Sequence, residues 1–362
     1  MSTGKTLGEQ SRQAVRRLAR ALAARSAGDT VAAGDPGPEP SRLAPLVPED
    51  HFEVIPRGRS ERFHTLEYDV LPRGRFDIVR HDYYSPLPDL ASLPPDIWAR
   101  RSELPSLGID LEHAACFIEQ DLAPYIEELD LPRERVEERG VFYLDNLNYE
   151  RVDAELLYAM VRHAKPQRII ELGSGFSTLL IGQACERNRA DGHQCTYVAY
   201  DPDPRPAILG EHPRGLDRLE RAPATQVSLE DFGQLGPSDL LFVDTTHTVK
   251  LGSDVNYLIL EVLPRLRPGV LVHFHDIFLP YEYPRVWFEE SGYFWAEQYL
   301  LQAFLAFNRE FRVLIPAQAL ARELPKRLSH VVPSFCAGVS PAAFWMVRAT
   351  PESDPQISAS QR

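Results

Sequence analysis

The sequence predicts an α/β chain whose core is an open, mostly parallel sheet, preceded by an N-terminal cap region. Three observations point there. Short apolar runs recur at 168–172, 196–200, 240–243 and 269–275. Stretches with helical spacing lie before and between them, as in Leu156, Leu157, Met160 and Val161. Each run closes on an ionisable residue: Glu171, Asp201, Asp244, then His275-Asp276. Apolar strands alternating with helices imply a parallel sheet buried on both faces.

Taken in order, residues 1–48 read as a flexible extension and linker. Arg16, Arg17 and Arg20 interleave with Leu18 and Leu22 at helical spacing, and 27–48 is rich in Gly and Pro. Residues 49–150 read as a cap that contributes to substrate recognition. Two Pro-Arg-Gly-Arg turns (56–59 and 72–75) join extended pieces there. Tyr84 follows, in a proline-rich path that offers a ring and a hydroxyl. Segment 111–129 has helical spacing interrupted near Pro124. Residues 151–350 form the main domain, with helices over 152–163, 176–185 and 255–263 and late strands at 311–315 and 344–347. Residues 351–362 read as a flexible tail.

Composition narrows the function. The chain has 362 residues and a formal charge of −13, which argues against nucleic acid as the main partner. Its four cysteines show no C-x-x-C spacing, so zinc ribbons and thioredoxin-like sites find no support. No apolar run has the roughly 18–20 residues of a membrane helix. A cytoplasmic protein with no membrane partner is the expectation. Four lysines against 35 arginines suggest a GC-rich bacterial genome.

In an open parallel sheet, ligands sit beyond the carboxyl ends of the strands. After Glu171 the loop Gly173-Ser174-Gly175 lets backbone approach a ligand and turns helix N-terminal amides toward it. Asp201, at the next strand end, can bind ribose hydroxyls. Glu171, Gly173, Ser174, Gly175, Ser177, Asp201 and Asp244 are therefore the candidate residues of an adenosine-type cofactor pocket. A dinucleotide site would want a third glycine where Thr178 stands, and no Tyr-x-x-x-Lys pair exists.

The run Glu171-Leu172-Gly173-Ser174-Gly175-Phe176-Ser177-Thr178 resembles the first motif of class I S-adenosylmethionine-dependent methyltransferases. Further motifs follow in order: Asp239 to His247, Gly252 to Asn256, Leu263 to Val270, and His273-Phe274-His275-Asp276. Together they are similar to the bacterial methyltransferase domain 24 family over roughly residues 75–350. The resemblance implies a Rossmann-like, seven-stranded, mostly parallel sheet whose last strand runs antiparallel. It implies S-adenosyl-L-methionine as cofactor and methyl transfer to a small molecule, natural-product or sugar-like, with O-methylation the first reading. C- or N-methylation of an apolar or aromatic substrate is the alternative, and a nucleotide-dependent oxidoreductase on the same sheet is the third.

An acidic acceptor group needs a base. His275 is the first candidate, His247 the second, with Asp244 beside them. Related sugar and macrolide methyltransferases hold a divalent metal at these strand ends, which here would be Asp244, His275 and Asp276. His275 stands where those relatives tend to carry an acid, which counts against magnesium. His273, deeper in its strand, reads as a core residue.

Residues 278–299 hold nine aromatics in 22 positions, where the chain's 10% predicts about two. An aromatic pocket wall that includes Tyr281, Tyr283 and Trp295 is the functional reading; core packing or a homo-oligomer interface would use the same residues. Arg285, Glu282 and Glu297 are candidate polar orienters of a substrate.

Overall fold

Two strands, β1 (Phe52–Arg57) and β2 (Arg75–Arg80), pair in a small sheet of their own. Seven more build the main sheet. They are β3 (Arg168–Leu172), β4 (Thr196–Tyr200), β5 (Arg218–Glu220), β6 (Leu240–Val243), β7 (Leu271–Phe274), β8 (Phe311–Pro316) and β9 (Phe344–Arg348). Their order across the sheet is β5-β4-β3-β6-β7-β9-β8. β3 to β7 pair in parallel, while β9 lies antiparallel between β7 and β8. The computed structural model describes residues 52–57, 75–80, 85–103, 107–210 and 213–349. The expected extension at 1–48, the tail at 351–362 and Tyr84 lie outside these residues. The chain divides into two units, Met1–Glu53 and Val54–Arg362, and the main sheet belongs wholly to the second.

The apolar strands are buried on both faces because helices cover both. On one face Ile169, Tyr197, Phe242 and Trp345 pack against helices Asp153–Ala164 and Phe176–Ala190. On the other, Ile170, Leu172, Val243 and Phe274 pack against Val255, Leu258 and Leu301. Side chains alternate faces with period two, so each strand supplies both cores. Helices Leu111–Phe117 and Ala123–Glu127, with the turn between them, place Ala114, Ile118, Leu122 and Ile126 in the first core. This later part of the expected cap thus shares the sheet's packing.

Three details differ from the sequence reading. β5 is an added edge strand of three half-buried or exposed residues, too short and polar to be read from periodicity. The fourth predicted run begins only at Leu271, because Val270 N still turns back to Arg267 O (3.3 Å). The helix expected over 255–263 starts as Asp254–Tyr257, widens into a π turn at Leu258–Val262 and tightens at Leu263–Arg265, where Pro264 offers no N–H.

Register is what builds a site. Leu172 is paired with both Tyr200 and Val243, and Val243 with Phe274. The residues that follow these strand ends, Gly173, Asp201, Asp244 and His275, therefore emerge along one edge of the sheet.

Candidate active site

The β3 loop ties three strand ends together. Gly173 N donates to Tyr200 O (2.9 Å) and Asp244 N to Leu172 O (2.9 Å). Gly173 has φ +87°, and a Cβ there would fall 1.9 Å from Asp244 O. Only glycine permits both the left-handed turn and this approach. Ser174 donates from N (2.9 Å) and Oγ (2.6 Å) to Asp201 Oδ2. Gly175 N donates to Thr178 Oγ1 (2.9 Å). A Cβ on Gly175 would meet only the Arg205 guanidinium, at 3.7 Å, so the loop backbone is bare on that side.

Glu171 turns the other way. It is fully buried, and it accepts from Ser177 Oγ (2.7 Å), Thr178 Oγ1 (2.9 Å) and the Tyr197 hydroxyl. Burial pushes its carboxyl up to about 8 in spite of these donors. Glu171 and Ser177 thus organise the loop from beneath. Gly173, Ser174, Gly175 and Asp201 lie at the edge itself. Asp201 Oδ1 also accepts from Asp203 N (2.7 Å) and keeps acceptor capacity for a further donor.

An acid–imidazole cluster forms at the ends of β6 and β7. His247 Nε2 stands 3.2 Å from Asp244 Oδ1 and 3.5 Å from Asp276 Oδ2. His247 Nδ1 lies 2.8 Å from Glu297 Oε2. His275 Nε2 is 3.6 Å from Asp276 Oδ1. The ligand-type atoms of Asp244, His247 and Asp276 all lie within 4.8 Å of one another. The imidazole that joins the two acids is therefore His247; the metal set expected from sequence named His275 in that place.

His247 (φ 56°) and Asp276 (φ 59°) both adopt the left-handed region, which costs residues with a Cβ on the order of 1 kcal/mol. The surrounding loop holds them there. Thr246 donates from N (3.0 Å) and Oγ1 (2.6 Å) to Asp254, while Ser253 Oγ caps the following helix at Asn256 N (3.2 Å). Thr245 Oγ1 is buried beside Asp244 with no hydrogen-bond partner among the described residues.

Charge follows from this packing. Burial works against a charged His247, but Asp244, Glu297 and Asp276 outweigh it and raise its pKa well above the usual histidine range. Burial likewise opposes an ionised Asp244, yet His247 and His275 hold it at about 2. Asp276 and Glu297 are raised by burial, with the imidazoles opposing. His275 is raised by Asp276, Asp244 and Asp153 against burial, and its Nδ1 is buried with no partner among the described residues. Its ring centre lies 4.5 Å from that of Tyr149. His273 sits between Phe242 and Trp345 (both 4.5 Å), where burial holds its pKa well below the usual range.

The aromatic stretch splits in two. Phe278 and Tyr283 form a small core with Ala342, Trp287, Phe288 and Trp295. Tyr281 turns away from the cluster: its hydroxyl donates to Glu323 Oε1 (3.2 Å) and Arg322 covers its ring at 4.2 Å. Tyr283 OH accepts from Gln298 N (3.0 Å). Trp295 alone of the three reaches the cluster, with its ring centre 4.2 Å from that of His247. Among the expected orienters, Arg285 pairs with Glu289 (2.8 Å) and Glu282 with Tyr299, while Glu297 enters the cluster. Sequence reasoning missed Asp153, whose buried carboxyl is pushed up to about 6, and Tyr149. Nothing in their local pattern marks either as close to the site.

Residues 170–277 match the family described as a methyltransferase domain. An uncharacterized protein of Archaeoglobus fulgidus is 30% identical over 116 residues, which cover 31% of this chain and 49% of the relative. The chain thus spans about half the length of the curated relative it matches. Among solved structures, cmcI-N160 with SAH is 12% identical, covering 55% of this chain and 77% of that one, with a TM-score of 0.32. The plantazolicin methyltransferase BpumL in complex with SAH is also 12% identical, covering 66% and 95%, with a TM-score of 0.29.

Proposed function

We propose that this chain, whose residues 170–277 match a methyltransferase domain, is a class I S-adenosylmethionine-dependent enzyme that methylates a small-molecule acceptor at the ends of β3, β4, β6 and β7. The observation that carries the reading is one of placement. Gly173 packs directly on the Asp244 backbone, so a glycine-bearing loop and a carboxylate-rich cluster meet at one edge of the sheet. The cofactor supplies an activated methyl group on a sulfonium. The residues present fit it: bare loop backbone at Gly173 and Gly175, acceptor oxygens on Asp201, and a negatively charged wall.

The protein's own part is to bind, orient and handle a proton. Ser174 and Gly175 offer loop backbone, and Asp201 takes hydroxyl donors. Asp244, with a third of its side chain exposed, is the cluster's outward face. His247, bridging Asp244 and Asp276, is the group that takes the acceptor's proton, in its neutral form. His275 lies behind and adds positive charge. O-methylation of a natural-product or sugar-like hydroxyl suits this proton path best. Trp295 over His247 favours a ring in the acceptor. Were a divalent cation to bind, Asp244, His247 and Asp276 would hold it, and it would acidify the acceptor hydroxyl.

The wider setting belongs to the same reading. A share of the expected cap in substrate recognition is supported by Trp98 against Phe288 (5.3 Å) in the aromatic stretch. The net charge of −13 supports a small-molecule rather than a nucleic-acid partner. Among the described residues no helix is long and apolar enough to cross a membrane. A bacterial cytoplasmic setting, and pairing of copies through the aromatic stretch, complete the proposal.

Calorimetry with S-adenosylmethionine and S-adenosylhomocysteine tests it, with and without a chelator. Binding of both is expected, and Asp244→Asn should weaken the charged cofactor more than the neutral product. Absence of heat from either ligand at millimolar concentration would overturn the reading. Loss of turnover on chelation would favour the cation.

A further inference from the structure

Three consecutive residues of the aromatic stretch converge on His247. Trp295 lays its ring over the imidazole, 4.2 Å between centres. Ala296 N and Glu297 N both donate to His247 O (3.0 and 3.2 Å). Glu297 Oε2 sits 2.8 Å from His247 Nδ1. Backbone, ring face and ring edge are thus all gripped by one short segment at the start of helix Glu297–Leu305. Glu297 is 1% exposed, and its Oε1 is buried with no hydrogen-bond partner among the described residues. A buried carboxyl kept half-satisfied is costly.

We propose that Glu297 is the positioning residue of the site, holding the His247 ring so that Nε2 points between Asp244 and Asp276. The geometry explains why the imidazole can stay in a strained, left-handed backbone position. Its carbonyl is fixed by two amides and its Nδ1–H by one carboxylate, so ring rotation would break a buried bond. Fixing Nδ1 against Glu297 leaves Nε2 facing the carboxylates of Asp244 and Asp276. An acid that holds the far side of an imidazole sets its tautomer and orientation without touching the substrate. On this view the aromatic stretch is a brace for the acid–base group as well as a pocket wall.

This inference rests on the proposed role of His247, and its test separates the two. Glu297→Gln keeps an oxygen that can accept from Nδ1–H; Glu297→Ala does not. In protein labelled with ¹⁵N-histidine, the His247 signals are assigned by their loss in His247→Gln. At a pH above the His247 transition, where the ring is neutral, wild type and Glu297→Gln are expected to show one tautomer with hydrogen-bonded Nδ1–H, and Glu297→Ala a mixture. This readout needs no substrate, so it stands even if the methylation reading fails. With a turned-over acceptor, Glu297→Ala should lower kcat by about 100-fold with KM and cofactor affinity little changed, the scale of a misaligned proton-transfer group. Glu297→Gln should recover most of it. Unchanged ¹⁵N signals in Glu297→Ala would overturn the proposal. So would parallel losses in kcat, KM and cofactor binding in both variants, which would mark Glu297 as packing alone.

Discussion

Glu171→Gln isolates the consequence of burying an acid under the glycine loop. Glu171 has no exposed surface, and its pKa stands at about 8 against the ordinary 4.5, with burial the dominant cause. The sign follows from linkage. Between pH 4.5 and 8 the folded protein keeps a proton that the unfolded chain has released, so stability falls as pH rises through this window. Each pH unit well inside that window is worth about 1.4 kcal/mol and less close to the folded pKa, so raising the pH from about 6 to 8 removes about 2 kcal/mol through this group. Glutamine abolishes the effect while keeping the contacts. Its oxygen can accept from Thr178 and Tyr197, and its amide can donate to the Ser177 hydroxyl. Urea unfolding of both proteins at pH 6, 7, 8 and 9 measures the difference. The stability gap in favour of glutamine should open by about 2 kcal/mol from pH 6 to 8 and then level off. A gap that stays constant over this range would refute the neutral-carboxyl account.

Two further substitutions probe close backbone approaches. Gly173→Ala would drive a Cβ to within 1.9 Å of Asp244 O at φ +87°, so it should cost at least about 2 kcal/mol and weaken cofactor binding, read by thermal melting and calorimetry. Gly182→Ala, inside helix Phe176–Ala190, should also destabilise, although alanine ordinarily gains about 1 kcal/mol in a helix, because its Cβ would lie 2.0 Å from Arg214 O; a raised melting temperature would contradict the packing.

Much of the fold was legible because its strands are buried on both faces and so read as unbroken apolar runs. Five of the seven main-sheet strands begin at the residues expected, and the antiparallel course of β9 followed from the resemblance. The edge strand β5 was not legible, since an edge needs neither length nor apolar side chains. The site was legible in position and less so in detail. Glu171 and Asp244 both read as strand-end acids, yet one falls within its strand and the other just after. By period two, Glu171 shares a face with Ile169 and enters the helix-covered core, where it meets Tyr197. Asp244 lies past the last ladder position and turns to the crevice. That His247 is the imidazole between Asp244 and Asp276 could not be read from spacing, because it depends on the left-handed turns at His247 and Asp276. Glu297 reaches the site from 50 residues away through tertiary packing alone.

The arrangement gives the crevice a definite electrical character. Asp244, Asp276 and Glu297 surround His247, so even a protonated imidazole leaves a surplus of negative charge when all three acids are ionised. Such a surplus in a poorly solvated place attracts a cation strongly. A sulfonium cofactor carries that charge before transfer and loses it afterwards, when the sulfur becomes a neutral sulfide. The same carboxylates that favour the loaded cofactor therefore favour it over the spent one, which promotes release of the product. A loaded cofactor also adds a positive charge near His247, and like charges disfavour its protonated form. Under the proposed function, cofactor binding would thus move His247 toward the neutral state that can take a proton. Under the proposed function, cofactor capture, proton transfer and product exchange would in this way be coupled through one cluster, and the coupling would require that its imidazole be held still.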